Sequence, residues 1–331
     1  MTNTLLVTES GLETVETTDE HAGAGDTLIA VSHSSMNYKD AMALDGNRVV
    51  VRTLPLVPGI DAVGTVLESP SLEEGTLVTV NGHGIGERRH GGFTPRMRID
   101  ASQVTRVPAR FDAWTAAAIG TAGYTAALSV DALERTQKAM DTPADGPILV
   151  TGPTGGVGSI ALQLLSARGY ETVAATGRAD EMGDYLRDLD ASEVIDRAEL
   201  SEAGKPLQKT RFGGVVDTVG STILANAIAQ VRWGGVVTAC GMAAGNDLPA
   251  SVLPFILRGV HLAGVNSVDA PAHLRDAAWE LLAETLDVEK LRSFTQTVGM
   301  DDAPGIGKQL LAGTWHGRAV VEIDADLSLI H

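Results

Sequence analysis

The chain has 331 residues, with 42 acidic and 25 basic side chains and a formal net charge of −17 at pH 7. This length exceeds what one hydrophobic core usually fills, so we expect two domains. The acidic balance excludes a broadly basic surface for nucleic acid or anionic membranes, and the single cysteine, Cys240, excludes an internal disulfide and a cysteine-based zinc site.

The start of the chain, MTNTLLVTES, has neither the basic residues nor the apolar core of a signal peptide. No stretch of about 18 consecutive apolar residues occurs, so no membrane-spanning helix is predicted. Together with the single cysteine, these features predict a soluble protein of the cytoplasm.

Two different patterns divide the chain. Residues 1–118 consist of short β-like runs broken by glycine and proline, which predicts an irregular β-rich domain; the runs are LLVTES, TLIAVSHSS, GIDAVGTVLES, GTLVTVNGHG, FTPRMRID and QVTRVP. From residue 119 to 265 helix and strand patterns alternate, which predicts a doubly wound parallel sheet with right-handed crossovers; the predicted strands are 148–151, 172–176, 193–196, 214–217, 235–240 and 260–265. Residues 266–331 carry a helix, DAPAHLRDAAWELLAETL, and a final strand, RAVVEI, predicted to rejoin the first domain.

The segment ILVTGPTGGVGSIALQLLSARG, residues 148–169, passes from an apolar strand through a glycine turn into a helix. Backbone N–H groups at a helix N-terminus attract a pyrophosphate, and only residues without bulk let it approach. A literal G-x-G-x-x-A can be read at Gly156, Gly158 and Ala161, but it begins late in the turn. A better alignment with the G-x-G-x-x-G fingerprint of dinucleotide-binding turns puts Pro153 at the position of the first glycine. The turn is therefore a variant dinucleotide fingerprint; the alternative is a tight turn that binds nothing.

The end of the second predicted strand, Thr176-Gly177-Arg178, lies where the adenosine ribose of a dinucleotide is expected. NAD-dependent enzymes usually have a carboxylate here, whereas a hydroxyl, a glycine and a guanidinium suit a phosphate. This predicts NADPH over NADH. Arg197, just after the third strand, is a second candidate for the phosphate; the alternative for either arginine is an ordinary solvated loop cation.

Seven segments together resemble the medium-chain dehydrogenase/reductase superfamily, and within its zinc-free quinone oxidoreductase branch the acrylyl-CoA reductases. They are NYKDAMAL (37–44), PLVPGIDAVGTV (55–66), NGHGIGE (81–87), AIGTAGYTAAL (118–128), VTGPTGGVGSIALQLL (150–165), ATGR (175–178) and LPFILRGVHLAGVNSV (253–268). The resemblance covers essentially the whole chain. It implies an α/β protein with a GroES-like β-rich catalytic domain, 1–118 with 266–331, and a Rossmann NADPH-binding domain, 119–265.

The resemblance also bears on metal chemistry. Zinc-bearing members of the superfamily bind catalytic zinc through a cysteine near the Asn37 region and a histidine before the glycine of a G-H-E motif, where this chain has Met36-Asn37-Tyr38 and Pro58-Gly59-Ile60-Asp61. His83 and His90 lie in a glycine-rich loop and are interpreted as structural residues, so no metal site is predicted. Without zinc, the resemblance implies direct hydride transfer from NADPH to the β-carbon of acryloyl-CoA and protonation of the α-carbon.

The NYKD segment supplies most of the candidate catalytic residues. Tyr38 is the first choice, because the resemblance places it over the nicotinamide and a phenol donates a hydrogen bond; the alternative is packing against the cofactor without chemistry. Asn37 is expected to donate to a substrate carbonyl. Lys39 and Asp40 are expected to form an ion pair in preference to a proton relay.

Two further catalytic candidates come from the PGID and NGHG motifs. Asp61 is expected to orient a neighbour, with action as an acid as the alternative; Asn81 is expected to contact substrate or the nicotinamide amide, with an ordinary turn as the alternative. The resemblance implies cofactor contacts by Tyr38, Thr154, Gly155, Gly156, Val157, Thr176, Gly177, Arg178, Arg197, Met242, Ile256, Ser267 and Arg318, of which Arg318 is alternatively a contact between domains.

The expected partner is a small electrophile. For an acyl-CoA, the phosphates need local positive charge, and the candidates are Arg88-Arg89, Arg48 and Arg52, which are alternatively ordinary surface arginines. The competing functions are an NADPH:quinone oxidoreductase or small-enone reductase on the same scaffold, and a non-catalytic NADPH-binding protein. The resemblance further implies a homodimer formed by pairing of the strand at 259–265.

Overall fold

A computed structural model describes residues 2–142 and 145–323, which divide into two compact units. The β-rich unit takes the chain up to Thr121, the segment Ser267–Pro271 and the described residues from Leu291 onward. The Rossmann unit comprises Ala122–Asn266 and Ala272–Lys290. No helix within the described ranges is both long and apolar enough to cross a membrane.

The helices and strands follow one another as the two patterns predict. In chain order they are β1 (Asn3–Thr8), β2 (Gly11–Glu16), β3 (Thr27–Ser35), α1 (Tyr38–Leu44), β4 (Asp61–Glu68), β5 (Leu77–Asn81), β6 (Arg96–Ile99), β7 (Thr105–Arg106), α2 (Ala113–Met140), β8 (Ile148–Thr151), α3 (Gly156–Ala167), β9 (Thr172–Thr176), α4 (Ala179–Asp188), β10 (Glu193–Asp196), β11 (Phe212–Asp217), α5 (Ser221–Ala229), β12 (Val231–Ala239), α6 (Leu253–Arg258), β13 (His261–Gly264), α7 (Ala272–Thr285), α8 (Val288–Ser293), β14 (Thr295–Gly299), α9 (Ala303–Leu311) and β15 (Arg318–Glu322).

The β-rich unit is built around β3. This strand pairs antiparallel with β4, β6 and β15, and the sheet has the order β14-β15-β3-β4-β5-β7 with β6 joined to β3 outside that path. Apolar residues of these strands, among them Ile29, Val31, Val66 and Val78, fill one buried core with Phe93. The RAVVEI segment is strand β15, so its predicted return to the first domain is confirmed.

The Rossmann unit contains a six-stranded, fully parallel sheet in the order β10-β9-β8-β11-β12-β13. The chain order reverses between β8 and β11, which is the switch point where doubly wound sheets bind ligands. The predicted doubly wound fold is confirmed. Strand β12 begins four residues earlier than the predicted 235, because the backbone continues through Gly234 at φ +72° with an interruption in its register against β11.

The structure corrects the predicted return to the first domain at residue 266. Helix α7 belongs to the Rossmann unit, where Trp279 and Leu282 are buried and the Arg275 guanidinium lies 4.7 Å above the ring of Tyr124. The chain touches the β-rich unit at Ser267–Pro271 and returns to it only at Leu291. Burial of the apolar side of α7 is the physical reason for this longer path.

Candidate active site

The NYKD motif forms the first turn of α1, and Asp40 holds that turn in place. Its Oδ2 accepts hydrogen bonds from the backbone N–H and the side-chain amide of Asn37, at 2.8 and 2.9 Å, and its Oδ1 accepts the N–H of Ile60 at 2.7 Å. An acidic residue three positions after an N-cap satisfies N–H groups that have no partner within the helix. The start of α1, and with it Tyr38, is therefore fixed by a fully buried carboxyl group.

The predicted ion pair between Lys39 and Asp40 is wrong. Lys39 instead lies 2.7 Å from Glu87, the last residue of the NGHGIGE motif, and both side chains are partly exposed. Successive residues of a helix point in different directions, so Lys39 reaches outward while Asp40 turns into the core.

Asp61 is the centre of a buried hydrogen-bond network. One carboxylate oxygen accepts from the Asn81 amide at 2.7 Å and from the Thr121 hydroxyl at 2.6 Å, and the other accepts from Ser35 and from the Asn37 amide at 2.8 Å. The backbone N–H of Thr121 donates to both oxygens. Asp61 has no exposed surface, and it connects β3, β4, β5 and α2 as the orienting group that was predicted.

Arg318 is the cation of this network. Its Nη2 donates to the Ser35 hydroxyl at 3.0 Å, its Nη1 to the Met36 carbonyl at 3.1 Å and the Asn37 amide oxygen at 3.3 Å, and its Nε to the Ala118 carbonyl at 2.8 Å. The side chain is 2 % exposed, so its guanidinium faces oxygens of the β-rich unit in place of the predicted cofactor contact. Burial lowers the pKa of Arg318 and the nearby carboxylates raise it, and a guanidinium remains charged throughout the working range.

Two buried carboxyl groups share this one cation. Burial, and then the charge of Asp61, raise the pKa of Asp40 to about 7, against the hydrogen bonds that it accepts. A protonated Asp40 leaves Asp61 and Arg318 as a balanced pair in the interior.

Gly120 and Thr121 belong to the network but had no predicted role. Helix α2 is interrupted at Gly120, where φ is +48° and ψ is −161°. A Cβ at this position would lie 2.7 Å from an oxygen of Asp61, 2.7 Å from the Ser35 hydroxyl and 2.8 Å from Arg318 Nη2. Only glycine accommodates both the backbone angle and the contacts. The sequence signal for this interruption was Gly120 itself, a glycine inside the helical pattern of the motif AIGTAGYTAAL.

Of the six predicted catalytic side chains, Tyr38 is the most exposed, at 51 %, and its contact with a substrate stays a prediction. Asp40, Asp61 and Asn81 are buried and their polar atoms bind protein groups. The contact with substrate or nicotinamide that was predicted for Asn81 is therefore replaced by its hydrogen bond to Asp61. The Asn37 amide donates to Asp40 and Asp61, so its predicted donation to a substrate carbonyl is replaced by a positioning role.

The Rossmann unit presents the glycine turn as an open helix start. Gly155 precedes α3, and a Cβ built on it would meet one atom within 4 Å, the carbonyl oxygen of Gly152 at 3.5 Å. Gly158 is different, because its Cβ would lie 2.4 Å from the same oxygen, so this glycine allows the helix to pack against the strand. Thr154, Gly156 and Val157 complete the turn. The turn leaves room for a pyrophosphate at the positive end of α3.

Two guanidinium groups lie close to the end of β9, where the sequence motifs predict the adenosine phosphate. Arg178 Nη2 donates to the Thr154 hydroxyl at 3.3 Å, and a Cβ on Gly177 would lie 3.0 Å from Arg197 Nη2. Neither arginine forms an ion pair with another described residue. Thr176 is buried, and its hydroxyl accepts the N–H of Arg178 at 3.2 Å.

Asp217 lies at the switch point of the sheet and was not predicted. The Thr151 hydroxyl donates to its Oδ1 at 2.7 Å, and the Gly220 N–H donates to its Oδ2 at 2.8 Å. Burial raises the pKa of Asp217, and these hydrogen bonds oppose that effect. The contacts join the carboxyl ends of β8 and β11, so they hold the glycine turn in place through Thr151.

Three weaker cofactor candidates are spread over the two units. Met242 and Ile256 are exposed residues of the Rossmann unit, and Ser267 is a half-buried residue of the β-rich unit, beside the NGHG loop. Their cofactor contacts stay predictions. His90, interpreted as structural, accepts the Val57 backbone N–H at 2.9 Å.

The arginines considered for a CoA phosphate differ in their surroundings. Arg88 lies 3.6 Å from Asp269, and Arg89 donates to a glutamine side chain at 2.8 Å. Arg48 and Arg52 are exposed and have no carboxylate within ion-pair distance among the described residues. A phosphate-binding role for any of them stays a prediction.

Comparison with known proteins assigns both units. The alcohol dehydrogenase GroES-like domain family matches residues 23–109, and the zinc-binding dehydrogenase family matches residues 156–284. The chain is 41 % identical over 316 residues to the probable acrylyl-CoA reductase AcuI of Escherichia coli K12, covering 95 % of this chain and 96 % of that one. It is 40 % identical over 300 residues to the putative quinone oxidoreductase YhfP of Bacillus subtilis, covering 89 % and 90 %.

A solved structure agrees with these matches. The YhdH oxidoreductase of Salmonella enterica, crystallised in complex with NADP, superimposes with a TM-score of 0.93 at 38 % identity, covering 98 % of this chain and all of that one.

The zinc implied by the second family name does not fit the residues present. The groups around Asp61 are N–H and O–H donors, which suit a carboxylate and repel a cation. Throughout residues 2–142 and 145–323, no three His, Cys, Asp or Glu side chains are arranged to hold a metal ion.

Proposed function

This chain belongs to the medium-chain dehydrogenase/reductase superfamily, and on that basis we propose that it reduces the carbon–carbon double bond of acryloyl-CoA to propanoyl-CoA with NADPH. The observation that carries the proposal is the 41 % identity along 95 % of the chain to a protein named as an acrylyl-CoA reductase. The buried network without metal ligands supports it, because reduction of an alkene conjugated to a carbonyl needs no zinc-bound alkoxide.

NADPH, when bound, supplies a hydride to the β-carbon of the substrate. The open turn at Gly155 and the start of α3 would hold the pyrophosphate, since a Cβ on Gly155 would meet only the Gly152 carbonyl within 4 Å and the N-terminus of a helix attracts an anion. Arg178 and Arg197 would hold the 2′-phosphate, because they offer two guanidinium groups without competing carboxylates.

The chain's own contribution to the reaction centres on Tyr38. As the double bond accepts a hydride at the β-carbon, negative charge develops on the thioester oxygen. The α-carbon is then protonated by solvent or by a group of the protein. A phenol hydrogen bond to that oxygen stabilises the developing charge. Asp40, Asp61 and Asn37 hold the first turn of α1 and so keep Tyr38 in place.

The first test compares electrophiles with purified protein by following NADPH oxidation at 340 nm. Acryloyl-CoA, crotonyl-CoA, acrolein and a benzoquinone are compared side by side, with NADH as the control donor. We expect kcat/KM for acryloyl-CoA to exceed that of the other electrophiles by at least about 10²-fold, as expected when a site binds the carrier as well as the reacting group. If acrolein were reduced as efficiently as acryloyl-CoA, the proposal that the site recognises the CoA part of the substrate would be contradicted.

The second candidate function is quinone reduction, which the 40 % identity to the quinone oxidoreductase YhfP favours. It uses the same hydride donor and requires no site for CoA phosphates. A benzoquinone preferred over acryloyl-CoA in the same assay would establish it. A protein that binds NADPH and oxidises it with none of the four compounds would instead support a non-catalytic role.

We also propose that the protein works as a homodimer in the cytoplasm. Strand β13 ends the Rossmann sheet, and within the described chain it pairs only with β12. Leu262 on this strand is exposed, as are Ile256 and Leu257 on the preceding helix. An apolar sheet edge favours association with a second copy. A cytoplasmic location is supported by the proposed use of NADPH and by the single cysteine of the chain, which cannot form an internal disulfide.

A further inference from the structure

The side chain of Arg318 connects the last strand of the β-rich unit to the first turn of α1. It is delivered by β15, and it meets Ser35 and Asn37, which are more than 280 positions away in the chain. Every donor nitrogen of its guanidinium has an acceptor in this unit: Ser35, Met36, Asn37 and Ala118. A buried residue with so many specific partners has one defined orientation.

The Asn37 amide is held at both ends by this arrangement. Its oxygen accepts from Arg318 Nη1 at 3.3 Å, and its nitrogen donates to Asp61 at 2.8 Å and to Asp40 at 2.9 Å. A flipped amide would point its N–H₂ at the guanidinium and its oxygen at the Asp61 carboxylate, so both of these contacts would become unfavourable. The charges on either side therefore select one amide orientation.

We propose that Arg318 is a positioning residue for the reaction, acting through the Asn37 amide to hold Tyr38 in its reactive place. The inference rests on the proposed function, because it assigns Tyr38 the contact with substrate. Asn37 is directly followed by Tyr38, and the backbone N–H of Asn37 is itself bound to Asp40. A shift of the amide thus moves the first helical residue, and a displacement of about 1 Å at a reacting group is enough to lower a rate by about 10²-fold.

The test uses Arg318→Lys, which keeps the positive charge beside Asp61 and loses the forked guanidinium. Asn37→Ala and the double variant complete a cycle, and Arg98→Lys serves as the matched control, since Arg98 forms an exposed ion pair with Glu68. Each variant is assayed with whichever electrophile the wild-type protein reduces best. A wild-type preference for another electrophile therefore alters the proposed substrate and leaves the cycle intact.

We expect Arg318→Lys to lower kcat by about 10²-fold, with KM and the NADPH Kd changed by less than about threefold. In the Asn37→Ala background the same substitution should change kcat by less than about threefold, because the group through which it acts is gone. Losses of kcat that multiply in the double variant, or a kcat unchanged by Arg318→Lys, would overturn the proposal.

A readout without turnover accompanies the cycle. Hydrogen exchange measured over residues 37–45 should be faster in Arg318→Lys than in wild type and unchanged in Arg98→Lys, because only the first loses the contact that holds this turn. Unchanged exchange in Arg318→Lys would contradict a positioning role even if the protein reduced none of the electrophiles.

Discussion

Arg178 is the residue proposed to select NADPH over NADH. If its guanidinium binds the 2′-phosphate, Arg178→Ala removes a charged hydrogen bond and should raise KM for NADPH by about 10- to 100-fold. KM for NADH should stay within about threefold, since NADH carries no phosphate there. Arg187→Ala is the control, because Arg187 lies on α4, the helix that begins directly after Arg178, and forms an exposed pair with Asp184. Equal weakening of both cofactors would contradict the assignment.

Gly120 is constrained by its backbone and by the Asp61 network. Gly120→Ala would put a methyl group 2.7 Å from Asp61 and Ser35 at φ +48°, so we expect a loss of unfolding free energy. The expected loss is about 1–3 kcal/mol or more, accompanied by a fall in kcat. Gly305→Ala is the control, because Gly305 lies in α9 with no atom near its Cβ position and should gain about 0.5–1 kcal/mol. Urea unfolding of both variants measures the difference.

Asp40 links stability to pH. Burial and Asp61 hold its folded-state pKa at about 7, above its ordinary value of 3.8. Between these two values the folded chain binds the proton that the unfolded chain releases, so this group's contribution to stability is greatest at low pH and declines as pH rises to about 7. The asparagine in Asp40→Asn cannot titrate, and it has one side-chain oxygen fewer to accept hydrogen bonds. Its destabilisation relative to wild type should therefore be larger at pH 5 than at pH 8, which urea unfolding at both values will show; a constant difference would contradict the raised pKa.

At the scale of elements, helix α7 shows how tertiary packing decides domain membership. Trp279 is 2 % exposed on this helix, and Trp279→Ala should lower the unfolding free energy by about 3–5 kcal/mol. Trp233→Ala provides a matched control, since Trp233 is 71 % exposed and should change stability by less than about 0.5 kcal/mol. Similar melting temperatures for the two variants would contradict the burial of α7 in the Rossmann unit.

Strands of the Rossmann sheet differ in how well the sequence locates them. Strands β8, β9 and β10 have the predicted ends, because apolar runs there stop at residues that favour turns or helix starts. Strand β12 starts at Val231, before the predicted boundary, because Val231 still pairs with Phe212 of β11 although Arg232, Trp233 and Gly234 interrupt the apolar run and the register. Local pattern therefore locates strands whose apolar run is uninterrupted and underestimates those whose ends depend on pairing with a neighbour.

For the whole molecule, the proposed dimer makes a direct prediction about Leu262. Leu262→Lys places a charge at the sheet edge, where a protein usually prevents pairing with such a residue. We expect light scattering after size exclusion to show a dimer for wild type and a monomer for this variant. Val49→Lys is the control, since Val49 is 65 % exposed in the β-rich unit. A wild-type monomer, or a dimer in both variants, would contradict pairing through β13.

The sequence by itself determined the two-domain α/β class, the doubly wound sheet and the glycine turn with Arg178, because each depends on periodicity or on residues close together in the chain. It also located the NYKD segment. Only the tertiary structure decided what those side chains do: Asp40 turns inward, Lys39 pairs with Glu87, and Arg318 enters the network from the last strand. The physical reason is that a buried polar group must find a partner wherever the fold supplies one, and here the partners come from distant segments that no local pattern connects.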